Sequence, residues 1–495
     1  MTISNSNVLE TTENRTQRKR SLPDDEAART IAGRIAFALI AAAVCLTTLV
    51  YGTVHPPVVA LFWVSAALLV LLWAADSWSG GAIRINRSWT QIPLALAAVY
   101  GIVQILPLGS TETAGVSGIA RTISLDPYST LLAAIQFLAL LVYLAATLVF
   151  VDTPKRLKTL VYFISVFGFI YAFFAIIQNL LDPGRIYGVY ERPFVQSFGS
   201  FVNKHNFAAF IEMSIALPLG LLFSGAIKKD KRLLFLTAVG VQGIALVMSG
   251  SRGGLVALLA EIVFIVAISR RSQTTGQIVL KAALAALLVG TIIGGTILIG
   301  NYSAIDRIAE TAVSKDPTSS RTQIWSTTWE VVKQNPILGA GWGALGTAYT
   351  QFDPMNGRER VEQAHNDYLQ LLADAGVIGL LLGAFFVFAL AREAWRRLES
   401  KDHFRRGVAV GALAACFAVL VHSLFDFVLH VPAISLLFLV MTALAVVNGR
   451  VESEESHERR SNKRRTKPAS VVSIEEKRKT LQSTTISQHV TETDN

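Results

Sequence analysis

Long apolar runs separated by short polar links dominate the chain. About twelve runs approach the length of roughly 17 to 25 residues that an α-helix needs to cross a bilayer. They cover Ile31 to Tyr51, Val58 to Ala75, Ile92 to Leu108, Leu131 to Val151, Leu160 to Leu181, Phe207 to Phe223, Leu233 to Met248, Gly254 to Ser269, Ala282 to Gly300, Val377 to Leu390, Val408 to Leu424 and Val431 to Val447. The pattern predicts an all-α polytopic membrane protein with about twelve transmembrane helices.

The composition agrees with that prediction. The 495 residues are 52% hydrophobic and 16% charged, and the mean hydropathy is +0.46, which is too apolar for an ordinary soluble protein. The net charge of +10 does not indicate nucleic-acid binding, because Lys and Arg cluster in the links and tails, where they set topology. Cys45 and Cys416 lie within apolar runs and are interpreted as packing residues.

The basic links between the predicted helices all fall on one side of the membrane. By the positive-inside rule this arrangement places both termini in the cytoplasm. The first 30 residues contain no cleavable signal pattern. The predicted segments are a disordered cytoplasmic arm over 1–30, nine helices over 31–300, a periplasmic catalytic loop over 301–374, three helices over 375–448 and a disordered basic cytoplasmic tail over 449–495.

The outer loop from Asp182 to Asn206 carries basic residues on the side where the topology rule predicts few. Arg192 and Lys204 therefore indicate either lipid head-group anchoring or a ligand. Aromatic residues interleave with them and predict a loop resting on the membrane interface: Tyr187, Tyr190, Phe194, Phe198 and Phe201. Four polar residues at the mouth of the next helix can donate hydrogen bonds to a sugar or phosphate: Asn203, Lys204, His205 and Asn206.

The outer turn Ser251-Arg252-Gly253 opens the following helix. Unpaired N–H groups at a helix start favour an anion, and glycine permits close backbone approach. The planar guanidinium of Arg252 suits paired phosphate oxygens. The motif is common, so alone it is a weak signal. An arginine in such an apolar setting nevertheless costs several kcal/mol unless paired, which favours a functional interpretation.

A long polar segment lies further along the predicted outer side. Ser319 and Ser320 can cap a helix that runs to Lys333, in which Trp325 and Trp329 form an apolar stripe. This predicts an interfacial amphipathic helix, with Arg321 facing either the bundle or the lipid head groups. The glycines that follow predict a flexible turn around Trp342: Gly339, Gly341, Gly343 and Gly346.

The passage Gln363-Ala364-His365-Asn366-Asp367-Tyr368 opens a second periodic segment. Helical spacing predicts that His365 shares a face with Tyr368, Leu369 and Leu372, against packing residues. Gly376 predicts a helix stop before the next apolar run. A core histidine is the alternative interpretation of His365.

Several of these motifs, in this order, resemble the O-antigen ligase and polymerase superfamily of bacterial envelope proteins. The resemblance rests on Gly199 to Ala208, Ser251 to Gly253, Arg321 with Trp325 and Trp329, Asn335 to Gly341, His365 to Leu369 and Gly376 to Gly379. It implies a GT-C-like bundle in the bacterial inner membrane that moves a glycan from a polyprenyl pyrophosphate carrier to an acceptor at the periplasmic face. The implied acceptor is lipid A core or a second glycan, and the implied reaction uses no cofactor or metal. The motifs do not distinguish a ligase from a polymerase.

The resemblance suggests roles for particular residues. His365 is the candidate base for the acceptor hydroxyl, and direct attack inverts the anomeric configuration. Arg252 and Arg321 are the candidates that hold the departing pyrophosphate, in place of a metal. The predicted substrate-binding residues are Arg192, Asn203, Lys204, His205, Asn206, Ser251, Gly253, Asn366 and Asp367, with Asn366 or Asp367 as the group that fixes the His365 tautomer.

Two other classes of protein compete with a transferase. A flippase for lipid-linked glycans also needs many helices and outer arginines, but ionisable residues cluster at the outer edge with few at mid-membrane. A structural scaffold predicts no consequence from substituting Arg252.

Overall fold

The computed structural model describes residues 30–113, 116–191, 196–268, 321–358 and 360–447, together with positions 286, 290 and 294. Its helices are α1 Ile31–Leu49, α2 Pro56–Gly80, α3 Gln91–Gln104, α4 Pro127–Phe150, α5 Pro154–Leu181, α6 Lys204–Phe223, α7 Arg232–Met248, α8 Arg252–Ile268, α9 Arg321–Gln334, α10 Leu345–Tyr349, α11 Asp367–Leu398, α12 His403–His422 and α13 Pro432–Val446. Short 3-10 turns cover Tyr51–Thr53, Lys229–Lys231 and Val428–His430. One hairpin pairs β1 Ser110–Thr113 with β2 Val116–Ala120.

The chain is a multi-pass helical membrane protein. Within the described ranges, 8 helical segments are long and apolar enough to cross a bilayer, and α3 and α13 are shorter apolar helices. Eleven of the apolar runs predicted from sequence lie on helices, whereas in the run from Ala282 to Gly300 only positions 286, 290 and 294 are described. The all-α prediction is therefore confirmed, and the count of about twelve spans stays a prediction.

Helices α6 and α12 form the tightly packed centre of the bundle. Small residues allow this approach, because a Cβ on Gly220 would lie 2.5 Å from the backbone nitrogen of Gly411. Helix α6 is buried from Asn206 to Leu221, including its carboxyl group at Glu212. This burial on all sides is typical of a helix surrounded by other helices.

A backbone-to-backbone contact joins the Gly-rich segment after α9 to a kink in α11. Gly376 adopts φ 58° and ψ −154° inside that helix. The N–H of Val377 donates to the Pro336 carbonyl (2.9 Å), and the N–H of Ala340 donates to the Ala373 carbonyl (2.8 Å). The predicted helix stop at Gly376 is thus a kink, because the freed backbone groups bond to another segment rather than ending the helix.

The predicted flexible turn around Trp342 is wrong. The Trp342 side chain is only 6% exposed. The backbone N–H of Trp342 donates to the Gln104 side chain (3.0 Å), while the backbone N–H of Gly343 donates to the Asp374 carboxylate (3.0 Å). Glycine is required here because the chain turns with φ 72° at Gly339 and Gly343, not because the segment lacks contacts.

The predicted interfacial position of the Asp182 to Asn206 aromatics is also partly wrong. Phe198 is 5% exposed and Phe201 is fully buried. Their rings pack against α5 and α6, with Phe198 4.6 Å from Phe207 and Phe201 6.4 Å from Tyr171 between ring centroids. Burying these rings stabilises the loop within the bundle, and large aromatic side chains dominate such packing. Phe194 lies outside the described residues.

Candidate functional site

Three basic side chains from different parts of the chain lie around one buried carboxylate. Asp426 lies between α12 and α13 and is 1% exposed. Its Oδ1 is 3.1 Å from His365 Nδ1, and its Oδ2 is 3.0 Å from Arg321 Nη2 and 3.6 Å from His205 Nε2. Arg321 also donates from Nη1 to the Phe425 carbonyl. We call these four side chains, His205, Arg321, His365 and Asp426, the Asp426 cluster.

The environment keeps Asp426 ionised. Burial alone would raise the pKa of this carboxyl group, but the hydrogen bond from His365 and the nearby His205 and Arg321 outweigh burial. The pKa of Asp426 therefore lies well below its ordinary value. A carboxylate that stays charged is a strong acceptor for the imidazole N–H.

His365 does not share a helical face with Tyr368, Leu369 and Leu372, as the sequence predicted. It precedes α11 with a left-handed backbone, φ 50°. Asn366 is the N-cap residue, and its Oδ1 accepts from the N–H groups of Tyr368 and Leu369, both at 3.0 Å. Because α11 begins only after this cap, His365 lies outside the helix. Its imidazole is directed toward Asp426, and the ring centroid lies 4.9 Å from that of Phe427.

The prediction that Asn366 or Asp367 fixes the His365 ring is wrong, because Asp426 occupies Nδ1. Asn366 caps α11 and also donates to the Leu424 carbonyl (3.1 Å). Asp367 accepts from His430 Nδ1 at 2.8 Å, from the Ser423 hydroxyl at 2.7 Å and from the Leu429 N–H at 3.2 Å. Both residues thus organise the segment around His365 without contacting its ring nitrogens.

A cavity of about 2320 Å³ extends from this cluster along the helices. His205, Arg321, His365, Asp367 and His430 are among the polar residues that line it. The rest of the lining is mainly apolar and comes from α2, α3, α4, α11 and α13. A polar end continuous with a long apolar part suits an amphipathic ligand whose head is charged and whose tail is hydrocarbon.

Four further residues predicted to bind substrate lie in the segment before α6 and at its start. Asn203 is the N-cap of α6, accepting from the His205 N–H at 2.9 Å, and Lys204 donates to Gln196 at 2.6 Å. Both line the cavity, as does Asn206, whose side chain is 4% exposed and whose Oδ1 has no partner among the described residues. These three residues therefore lie at the cavity, and their binding of substrate stays a prediction. Arg192 lies outside the described residues.

The Ser251–Gly253 turn joins the cluster through its serine. Ser251 Oγ lies 2.8 Å from His205 Nδ1 and accepts from the Gly254 N–H at 3.2 Å. A Cβ on Gly253 would lie 3.0 Å from the His422 ring, so this glycine permits close packing against a histidine. Among the described residues that line the cavity, Arg321 and His365 are present and Arg252 is not.

A second group of ionisable residues is buried within the spanning helices. Glu212 Oε1 lies 2.9 Å from His422 Nδ1, and both side chains are fully buried. Glu261 is also fully buried, and neither of its carboxyl oxygens has a hydrogen-bond partner in the described part of the chain. Ionisable residues are thus less confined to the edge of the bundle than the sequence indicated, because two glutamates are fully buried inside it.

Sequence reasoning missed Asp426, His430, Glu212, Glu261 and His422. Each lies in or beside an apolar run, where a charged side chain is expensive unless it has a partner. That cost is a signal visible in the sequence. The partners, however, are separated by 61 to 221 residues along the chain, as in His365 with Asp426 and His205 with Asp426.

The fold and the site define an integral membrane protein whose polar cluster opens into a large, mainly apolar cavity. Residues 233–384 match the family model described as O-antigen ligase, which confirms the predicted relationship to the O-antigen ligase and polymerase superfamily. The match covers Arg252, Arg321 and His365 and ends before Asp426 and His430. No curated protein matches the chain. The family supports a glycosyltransferase-type enzyme of O-antigen biosynthesis that uses lipid-linked glycans.

Proposed function

We propose that the chain is an inverting glycosyltransferase of the O-antigen ligase type. It moves a glycan from polyprenyl pyrophosphate to an acceptor hydroxyl, with lipid A core as the acceptor. The bundle is GT-C-like, with about twelve helices in the bacterial inner membrane, both termini cytoplasmic and the Asp426 cluster at the periplasmic face. The segments predicted over 1–30, 31–300, 301–374, 375–448 and 449–495 belong to this proposal.

One observation supports the proposal above the others. His365 and Arg321 contact the two oxygens of one carboxylate, Asp426, at 3.1 Å and 3.0 Å, and both side chains line the same cavity. A base and a fixed cation beside one cavity are the two groups that this transfer needs, since a hydroxyl must lose a proton while a pyrophosphate gains charge.

Asp426 determines which nitrogen of His365 is available. The carboxylate accepts from Nδ1, so Nε2 carries the free electron pair. In the proposed reaction Nε2 takes the proton from the acceptor hydroxyl as its oxygen bonds to the anomeric carbon. The bond from that carbon to the pyrophosphate oxygen breaks, and its electron pair leaves with the pyrophosphate. A single displacement of this kind inverts the anomeric configuration.

Arg321 is the better supported of the two proposed pyrophosphate ligands. Its side chain is 19% exposed, and its guanidinium is oriented by Asp426 and the Phe425 carbonyl. A cation already fixed in a partly buried site stabilises developing negative charge with little reorganisation. Arg252 stays a proposal that rests on its position at the start of α8, beside Ser251. The nine predicted substrate-binding residues, Arg192 included, also stay proposals.

A polymerase is the first alternative within the same superfamily. It would use the same base and cation but take a second lipid-linked glycan as acceptor. The carrier lipids that accumulate in a deletion strain separate the two: single repeat units indicate a lost polymerase, and long chains a lost ligase.

The buried glutamates favour keeping a flippase as a second alternative. Glu212 and Glu261 lie inside the spanning helices, where transporters commonly place ionisable groups. A flippase predicts that its loss leaves lipid-linked glycans on the cytoplasmic side. A transferase predicts that they accumulate on the periplasmic side.

The direct test is transfer by purified protein from a polyprenyl-pyrophosphate glycan to lipid A core. We expect His365→Ala and Arg321→Ala to abolish transfer while the proteins stay folded in detergent. His403→Gln is a matched control, because His403 bonds to the Ser224 carbonyl at the end of α6 away from the cluster. Transfer at the parental rate by His365→Ala would refute the proposed base.

A further inference from the structure

Two histidine–aspartate pairs cross between the same two segments of the chain. His365 and Asp367 lie at the start of α11, whereas Asp426 and His430 lie between α12 and α13. His365 pairs with Asp426 at 3.1 Å, and Asp367 pairs with His430 at 2.8 Å. Both histidines line the cavity. The first pair has a proposed role as base and orienting carboxylate, and the second has none.

The two pairs differ in the charge that surrounds them. Asp426 shares its carboxylate between His365 and the guanidinium of Arg321, so a permanent cation competes with His365 for its negative charge. Asp367 has neutral donors besides His430, namely the Ser423 hydroxyl and the Leu429 N–H. Its negative charge is therefore left to the His430 imidazole.

This arrangement favours a protonated His430. Burial opposes the charge, but the hydrogen bond and charge of Asp367, with Asp374 nearby, raise the pKa of His430 above its ordinary value. Nδ1 donates to Asp367, so the remaining N–H, at Nε2, is available to a ligand. The side chain is 35% exposed and lines the cavity.

We propose that His430, held by Asp367, binds the pyrophosphate of the lipid-linked donor through its Nε2–H. This inference rests on the proposed function and extends it. His365 takes the acceptor proton, while His430 keeps its own proton and donates a hydrogen bond to the phosphate oxygen that gains charge. Two imidazoles beside one cavity thus have opposite roles, which their different neighbours impose. Asp367 is a positioning residue, because its oxygens are occupied by protein donors.

The first experiment measures binding without catalysis. Inorganic pyrophosphate is added to the purified full-length protein, and the shift in its unfolding temperature gives the affinity. We expect the parental protein and His403→Gln to bind alike, and His430→Gln to bind at least about tenfold more weakly, as expected for loss of one charged hydrogen bond. Equal binding by His430→Gln and the parental protein would overturn the proposal.

The second experiment uses transfer and its pH dependence. His430→Gln should slow transfer about 10²-fold or more, the range seen when one fixed donor is removed from a developing anion. Because the role needs the protonated ring, parental transfer should fall as the pH rises through the raised pKa of His430. His430→Lys should restore part of the rate and move that fall to higher pH, and Asp367→Asn should move it to lower pH.

The two proposals can fail separately. If the parental protein transfers no glycan but pyrophosphate binding still depends on His430, the proposed function fails and the anion site stands. Alternatively, transfer proceeds while His430→Gln lowers only the unfolding temperature of the ligand-free protein and leaves the rate, the pH profile and the pyrophosphate affinity unchanged. His430 would then only stabilise the packing of α11 against the segment before α13. That result would overturn the inference and leave the transferase intact.

Discussion

His365 Nδ1 and Asp426 Oδ1 are 3.1 Å apart, although 61 residues separate them in the sequence. Because Nδ1 donates to Asp426, Nε2 of His365 is the nitrogen that can accept a proton in the proposed reaction. Asp426→Asn removes the charge while nearly preserving the shape, and the amide nitrogen can present a donor to Nδ1 instead. We expect transfer to fall by about 10²–10⁴-fold, the usual contribution of a positioned base. The measurement is the initial rate of glycan transfer in detergent.

The control for Asp426→Asn is Asp353→Asn. Asp353 caps a turn through the N–H groups of Met355 and Gly357 and is not among the residues of the Asp426 cluster. Its substitution should leave the rate within about twofold of the parental value, since surface substitutions have small effects. A parental rate in Asp426→Asn would show that His365 needs no orienting carboxylate.

Arg321 and Asp426 should be energetically coupled. Removing one partner of a buried ion pair is strongly destabilising, by about 3–5 kcal/mol, because the remaining charge is unpaired. Arg321→Met and Asp426→Asn should therefore each destabilise the protein, and the double variant should lose less than the sum. The measurement is a double-mutant cycle on the free energy of unfolding, with a coupling of about 0.5–3 kcal/mol. Additive losses would contradict a direct pair.

Transfer should persist when divalent metals are removed. The proposed reaction assigns the developing charge of the pyrophosphate to Arg321, with Arg252 and His430 assisting, and these cations keep their charge in EDTA. The rate in excess EDTA should equal the rate before chelation. A loss that Mg²⁺ or Mn²⁺ restores would point instead to a metal held by carboxylates such as Asp353, Glu359, Glu362 or Asp367.

The apolar pattern of the sequence was sufficient to locate the helices. Runs such as Phe207 to Phe223 and Val408 to Leu424 coincide closely with α6 and α12, because a bilayer fixes both the length and the composition of a span. Arg321 was predicted to face either the bundle or the head groups, and the structure shows that it faces the bundle. The choice depends on Asp426, which no local pattern relates to Arg321.

The centre of the site could not be predicted from local patterns. Periodicity put His365 on a helical face, but α11 begins at Asp367 after the Asn366 cap, so His365 precedes the helix and its imidazole is turned away. A cap and a left-handed residue are set by local hydrogen bonds that override the apolar period. Glu212 and His422 are 210 residues apart, so only the packing of α6 on α12 brings them together.

The glycine after the Ser251-Arg252-Gly253 turn should be sensitive to a single methyl group. A Cβ on Gly254 would lie 2.6 Å from Ala208 Cβ and 3.0 Å from Glu212 Oε1, a carboxyl group buried in its pair with His422. Gly254→Ala therefore overpacks α8 against α6, and we expect a loss of about 1–3 kcal/mol in the free energy of unfolding. Gly240→Ala is the matched control, since Gly240 lies within α7 and has no neighbouring atom within 4 Å of the added Cβ among the described residues. That substitution should be neutral or stabilise by up to about 1 kcal/mol, because alanine favours the helix. Thermal unfolding in one detergent measures both, and equal stabilities would contradict the close approach of α8 to Glu212.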